Sequence, residues 1–445
     1  MSFLTNNNAF VVVGLGYGDE GKGSVVDYLV RQHQIKLVVR FNGGPQAAHH
    51  VVTPEGIMHC FSQFGSGTLV PGVETFLTGY MLVDPLAIEA ENEVLKEKGI
   101  KDGFERLIID RACPVVTPFH KIINRMLEIS RGKAKYGSCG KGVGETIKDL
   151  QCLNERTLFV KDFFNETVLR QKLDFLWRMK LDLAEQLVKA HRNNKKLLSY
   201  LEQIQRTDYV DCLVEAYCRF ISEAGVRIED EPYLIKRLNE REDVVFEGAQ
   251  GVLLDVKAGF KPYITKTDTT FNNADKILFD SQKNIIKIGV LRAYATRHGA
   301  GPFVTEDTWL RKQIPDFHNT TNEWQGSLRI GWFDLVAARY ALDTVGAIDC
   351  IALTNIDRLA GIDEIKVCTS YEWADKIIDD IDFLKNLTQE SQGELAGLLK
   401  ECKPVYLKHV GGIKKYIQFL EKKLDVPISI ISLGPRATEK IKTLY

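Results

Sequence analysis

The stretch Val11-Val12-Val13-Gly14-Leu15-Gly16-Tyr17-Gly18-Asp19-Glu20-Gly21-Lys22-Gly23-Ser24 decides the reading of this chain, because an apolar strand empties into a glycine-rich turn carrying one lysine and two carboxylates. Such a turn can aim successive backbone N–H groups, a helix N-terminus and an ammonium at one polyphosphate. The spacing from Gly16 to Gly21-Lys22 fits the common P-loop, but Gly23 stands where a serine or threonine would help to hold magnesium. Asp19 is then the available hard oxygen ligand for Mg2+, and a carboxylate beside a phosphoryl group can also act as a base. Glycines equally serve plain structural turns. Lys22 and Asp19 together tilt the balance toward chemistry.

Composition bounds what such a cradle can belong to. With 445 residues the chain buries a large core easily, and a single elaborated α/β domain over 1–445 fits that length. Charged residues balance to a net charge of −1, so no general attraction to nucleic acid or to an anionic membrane follows, and small molecules are the expected partners. The nine cysteines are scattered without a CxxC pair, which argues against a disulfide framework and a zinc ribbon and for a reducing, cytoplasmic location. No apolar run approaches the roughly 20 residues that span a bilayer.

Working outward, Ala9 to Leu15, Leu37 to Phe41, Arg106 to Ile109, Val244 to Phe246, Ile285 to Leu291, Cys350 to Leu353 and Pro427 to Ser432 read as strands, several apolar enough to be buried on both faces. Pro85 to Lys98, Pro118 to Arg131, Phe333 to Leu342 and Ile413 to Lys423 have amphipathic helical spacing and supply layers to cover a sheet. The expectation is a large, mostly parallel central sheet flanked by helices. From about 165 to 241 the pattern is almost wholly helical and reads as an insertion within that domain; its basic stretch Lys189 to Lys196 reads as a solvated face.

Two more constellations follow glycine turns. In Arg40-Phe41-Asn42-Gly43-Gly44-Pro45-Gln46-Ala47-Ala48-His49-His50-Val51-Val52 the paired histidines sit where side chains can protrude at the end of a strand, and one imidazole acting as acid or charge stabiliser is a better reading than a metal shared by neighbours that point apart. Phe246-Glu247-Gly248-Ala249-Gln250-Gly251 is another strand ending in a glycine turn, with an amide inside it. These three segments, in this order, resemble the adenylosuccinate synthetase family, with its WGDEGKG, GG-x-NAGHT and FEGAQG patterns. Further similarity lies at Ala293-Tyr294-Ala295-Thr296-Arg297, Gly299-Ala300-Gly301-Pro302-Phe303, Gly331-Trp332-Phe333-Asp334, Leu353-Thr354-Asn355-Ile356-Asp357 and Ile431-Ser432-Leu433-Gly434-Pro435, so that it spans essentially the whole chain.

The resemblance implies a P-loop-like GTP-binding ligase fold, a homodimer, and a two-step reaction. A purine 6-oxygen attacks the γ-phosphate of GTP, and an amine then displaces the phosphate. Both steps answer a physical demand, since a carbonyl oxygen leaves poorly until phosphorylated and a lactam oxygen attacks poorly until its ring nitrogen loses a proton. Carried over by position, Asp19 is the base and a magnesium ligand, His49 stabilises the transfer, Gln250 orients the base edge, and Lys22 with Gly18, Glu20, Gly21 and Gly23 holds phosphate. Asp357 would accept from guanine N1 and N2, Ser432 and Gly434 would line the guanine site, the Ala48 carbonyl would ligate magnesium, and Thr265 would touch substrate phosphate.

Departures concentrate where substrates are recognised. Gln46 replaces an asparagine that touches the substrate phosphate, and His50 a threonine that supports GTP. The family's Gly-Thr-Thr-Gly-Arg segment is Gly137-Ser138-Cys139-Gly140-Lys141, and no arginine lies between Lys141 and Arg156 to match the one lent across a dimer interface. Arg329 alone remains of an arginine-rich loop that clamps aspartate. His298 stands where an aliphatic residue is usual, and Asn355 replaces a lysine. The expected enzyme is therefore a GTP-dependent ligase with an altered acceptor or amine donor. The orthodox reaction of IMP with an aspartate-like donor is the alternative, and a non-catalytic nucleotide-binding protein the more remote one.

Overall fold

The computed structural model describes residues 7–222, 225–316, 323–382, 384, 393–409 and 412–443. Asn322, at the edge of the arginine-poor loop, lies outside them. Ten strands form the central sheet: β1 (Asn8–Gly14), β2 (Leu37–Arg40), β3 (Glu74–Leu77), β4 (Leu107–Asp110), β5 (Arg227–Glu229), β6 (Val244–Glu247), β7 (Asn284–Arg292), β8 (Cys350–Thr354), β9 (Ile428–Ser432) and β10 (Lys440–Lys442). Their order is β10-β9-β8-β7-β1-β6-β2-β3-β4-β5, and every neighbouring pair is parallel except β9 with β10.

β1 shows why this sequence takes a buried central strand. Successive residues of a strand face opposite ways, and both faces of β1 are covered. Ala9, Val11 and Val13 enter one core, with the helices Asn272–Leu278 and Leu335–Val345, while Phe10 and Val12 enter another, with Val25, Val26 and Leu29 of the helix Lys22–His33. A third core lies farther along the sheet, where Leu77, Leu107 and Ile109 meet the helices Pro118–Arg131, Glu166–Ala190 and Tyr209–Ser222. The α/β architecture is thus the one its apolar runs predict.

Three sheet strands, β3, β5 and β10, go beyond that expectation. β5 interrupts the stretch read as almost wholly helical, pairing Arg227 with Ile108 and Ile228 with Ile109. Three residues with one apolar side chain carry no period of their own, and the edge of β4 supplies the pairing. His49 and His50 also depart from the reading. They open a separate hairpin, His49–Val52 with Met58–Phe61, instead of ending a sheet strand.

Because β1, β2, β6, β7, β8 and β9 run parallel, their carboxyl ends share one edge of the sheet. The chain order reverses around β1, whose neighbours are β6 on one side and β7 on the other. Loops leaving such a switch point open a crevice, the usual ligand position in doubly wound sheets.

Candidate active site

The phosphate-type turn is built by Glu20. Its buried carboxylate accepts from the N–H groups of Gly16 (3.0 Å) and Gly18 (2.7 Å) and pairs with the Lys22 ammonium (2.6 Å). Glu20 lies behind the loop, beside a small apolar pocket, while Gly18, Asp19, Gly21, Lys22 and Gly23 face a cleft of about 640 Å³. That size falls in the range of about 300–1,000 Å³ typical of small-molecule sites. Gly23 explains the missing hydroxyl of the P-loop pattern: a Cβ there would stand 2.8 Å from His49 Cβ and 2.9 Å from Ser66 Oγ. The glycine lets the His49 strand lie against the start of the helix.

That approach brings His49 to the end of β6. Its Nδ1 lies 2.5 Å from Glu247 Oε1, and Glu247 also accepts from the Ser66 backbone N–H (2.9 Å) and hydroxyl. Glu247 is fully buried. Burial opposes its ionisation, but His49, Arg40 and the Ser66 hydroxyl more than offset this and hold the carboxyl at about 2. Burial lowers the His49 pKa. The pair is therefore a neutral imidazole donating its Nδ1–H to a carboxylate, which fixes the tautomer and leaves Nε2 as the other functional nitrogen.

Asp19, Gln250 and Asn355 share an uncommon backbone. Their φ values of 60°, 58° and 56° put three non-glycine residues in the left-handed region, all on the cleft wall. Such conformations cost energy and cluster at functional sites. Unpartnered buried atoms converge there too: both polar atoms of the Gln46 side chain, Gln250 Oε1, Arg292 Nη1 and His298 Nδ1 find no partner among the described residues, and all five belong to cleft-lining residues. Buried polar groups are nearly always satisfied, so these atoms are open to the polar groups of a ligand.

The structure gathers Asp19, Lys22, His49, Gln250, Gly18, Gly21, Gly23, Gln46, Ala48, His298, Asn355, Asp357, Ser432 and Gly434 around this cleft. His298 Nε2 lies 3.6 Å from Asp19 Oδ2. Burial raises the pKa of Asp357.

Ser138, Cys139, Thr265 and Arg329 are not on the cleft wall. Ser138 Oγ accepts from Asn124 (2.9 Å), Thr265 shares a hydrogen bond with Thr267 (3.3 Å), and burial pushes the Cys139 thiol up. Arg329 donates to Glu306 (2.5 and 3.0 Å) and to the carbonyls of Gly299 (3.3 Å) and Gly301 (2.9 Å). Sequence reading gave no role to Glu247, Ser66 or Arg292. Glu247 and Arg292 carry a usable signal, a charge at the carboxyl end of an apolar strand, whereas Ser66 carries none.

Asp19 and the exposed Ala48 fit a magnesium site of the kind that takes a carboxylate and relies on substrate phosphates and water for its other ligands. Among the described residues no cluster of three His, Cys, Asp or Glu side chains could hold a metal alone. No described helix is long and apolar enough to cross a membrane.

A glycine-rich turn with a lysine at the switch point of a parallel sheet, sharing a cleft with an aspartate and a carboxylate-oriented histidine, fits the nucleotide-dependent transferases and ligases as a class. The adenylosuccinate synthetase family model matches residues 11–441. Adenylosuccinate synthetase of Wolbachia pipientis wMel is 31% identical, covering 98% of this chain and 99% of its own, and that of Vibrio parahaemolyticus is 32% identical at 98% of each. Among solved structures, fully ligated adenylosuccinate synthetase from Plasmodium falciparum shares the fold at a TM-score of 0.78 and 23% identity, over 98% of this chain and 100% of that one. Succinoaminodeoxyadenylate synthetase of cyanophage S-2L, bound to dGMP and to dATP as an energy donor, shares it at a TM-score of 0.60 and 17% identity, over 99% and 96%. The chain belongs to the adenylosuccinate synthetase family, whose members are ligases that form C–N bonds coupled to GTP hydrolysis.

Proposed function

We propose that this ligase uses GTP to phosphorylate a purine 6-oxo or related lactam oxygen and then exchanges that phosphate for an amine, with an acceptor or amine donor other than the IMP and aspartate pair. The convergence of Asp19, Lys22, His49 and unpartnered Gln46, Gln250 and His298 atoms on one cleft carries this reading. Asp19 takes the ring N–H proton, the freed electron pair makes the oxygen nucleophilic, and that oxygen attacks the γ-phosphorus as GDP leaves. The amine then adds at the activated carbon, phosphate departs, and the amine gives up a proton. His49 presents Nε2 to the transferring group, with Glu247 holding the ring. Lys22, steadied by Glu20, and the loop amides after Gly18, whose own N–H is spent on Glu20, hold phosphate charge. Gln250 would orient the acceptor's edge. Magnesium, held by Asp19 and the Ala48 carbonyl, would neutralise phosphate charge.

Charge supports the altered pair. Among the described cleft-lining residues Lys22, Arg292 and Arg358 face Asp19, Asp316 and Asp357, so lysines and arginines exceed no carboxylates. Residues 313–328 hold no lysine or arginine, and Arg329 is committed to Glu306. A phosphorylated acceptor together with a dicarboxylate donor would bring anionic groups with few partners, and an unpaired buried charge is costly.

Phosphate release from GTP and Mg2+ tests the proposal, with IMP plus aspartate in one reaction and a panel of nucleosides, nucleotides and amines in others, and Asp19→Ala as the blank. Release with a pair from the panel, and little with IMP and aspartate, is expected. Release and a succinylated product from IMP and aspartate would restore the orthodox reaction.

A further inference from the structure

Arg292 closes β7 beside the end of β8, where it pairs in register with Thr354, and Asn355 follows directly. Its side chain is only 10% exposed, with the guanidinium carbon 5.2 Å from the centre of the Tyr294 ring. Nε donates to Asn355 Oδ1 at 3.2 Å, Nη2 lies 3.6 Å from Asp316, and Nη1 is buried with no acceptor among the described residues.

A guanidinium can only donate. Asn355 must therefore turn its amide oxygen toward Arg292 and its NH2 away. That NH2 donates to no described residue, while Asn355 lines the cleft together with Asp357. The left-handed backbone at Asn355, tolerated by asparagine better than by most residues, fixes the base of the side chain as Arg292 fixes its tip.

We infer that Arg292 locks the Asn355 amide so that Asn355 and Asp357 together read a guanine edge, the amide NH2 donating to O6 and the carboxylate accepting from N1–H and the 2-amino group. The inference rests on the GTP-dependent reading above and names the residue pair that selects its nucleotide. Adenine presents the inverse pattern, a 6-amino donor and an unprotonated N1, which would set donor against donor and lone pair against carboxylate. A site built around polar groups rejects an analogue that leaves them unpaired. Arg292 is a positioning residue in this scheme.

Calorimetric binding of GTP, ITP, ATP and 2-aminopurine riboside triphosphate to the full chain with Mg2+ tests it. The last nucleotide lacks O6, so it cannot report on the amide. The wild-type chain should prefer GTP and ITP over ATP. Arg292→Met should lower the GTP:ATP affinity ratio about tenfold, the size of one hydrogen bond to a fixed partner, and leave binding of the O6-less nucleotide within about twofold. Arg292→Lys, which can still donate to Oδ1, should recover part of the ratio. A misfolded fraction would lower the fitted stoichiometry for all four nucleotides and leave their affinities unmoved, so it cannot imitate either outcome. Equal losses for all four nucleotides, or a wild-type chain that binds ATP as well as GTP, would overturn the inference and spare the ligase reading; no binding of any nucleotide would sink both.

Discussion

The two ends of the cleft are built on opposite principles. At the end formed by the glycine-rich turn the scaffold's own polar groups are satisfied from behind: Glu20 ties Gly16, Gly18 and Lys22 together, and Glu247 ties His49 to Ser66. The groups facing the cleft are left with atoms to spare. Beyond His298 the cations are already spent, Arg329 on Glu306 and two carbonyls, and Arg297 on the carbonyls of Ala300 (3.1 Å), Pro302 (3.0 Å) and Tyr263 (3.3 Å). Support from behind preorganises a site for chemistry. Charges consumed behind the wall shape a loop and recognise little. This contrast separates the phosphoryl-transfer step from the choice of substrates, which the proposal assigns to different ends of the cleft.

Breaking the support should cost most. Glu247→Gln keeps the size of the side chain but lets it donate an N–H toward Nδ1, which favours the wrong imidazole tautomer. Phosphate release should fall about 100-fold, the upper end for losing a group that orients a functional histidine. The same residue sets an acid limit. Glu247 titrates at about 2 in the fold against an ordinary 4.5. A depressed folded value means that its stabilisation is present above pH 4.5 and is lost as pH falls toward 2. Urea midpoints at pH 6 and pH 3 should therefore differ more in the wild-type chain than in Glu247→Gln. Equal slopes would mean that the carboxylate is not held by its partners.

The next effect comes from geometry alone. Gly23→Ser makes the loop look more like an ordinary P-loop, yet its Cβ would press on His49 Cβ and Ser66 Oγ. Displacing a reacting group by a fraction of an ångström is expensive. Phosphate release should drop about tenfold with a smaller change in GTP affinity. A faster enzyme would show that the hydroxyl's service to the metal outweighs the approach of the two segments.

Sequence reveals these two ends unequally, for physical reasons. The strand Asn8–Gly14 and its turn announce themselves because apolar residues on both faces and glycines at fixed offsets are local properties. That Asp19 and Lys22 face one cleft is legible from their place in that turn. The link from His49 to Glu247 spans nearly 200 positions and exists only once the hairpin lies against β6. Strand β5 was hidden for a similar reason, since its pairing comes from the edge of β4 and not from its own three residues. Nor does a residue type declare whether its charge is free: Arg329 reads as a carboxylate clamp until Glu306 is seen beside it.

Arg329 therefore gives the smallest and most discriminating test of the contrast. Its guanidinium donates to a carboxylate and to the carbonyls of Gly299 and Gly301, so Arg329→Gln removes the ties of the loop next to His298 and withdraws no free cation from the cleft. The KM for the amine donor should change by less than about threefold, while the thermal midpoint falls by a few degrees, as expected when one charged hydrogen-bond network is lost. The phosphoryl half-reaction, followed without amine by scrambling of isotope from the β–γ bridge of GTP, should keep its rate. A KM rise of about tenfold or more, confined to amines that carry a carboxylate, would be the signature of a charge–charge contact of roughly 1.5–3 kcal/mol. In that case Arg329 would have to leave Glu306 when substrate arrives, and the far end of the cleft would be a recognition site held closed by its own ion pair.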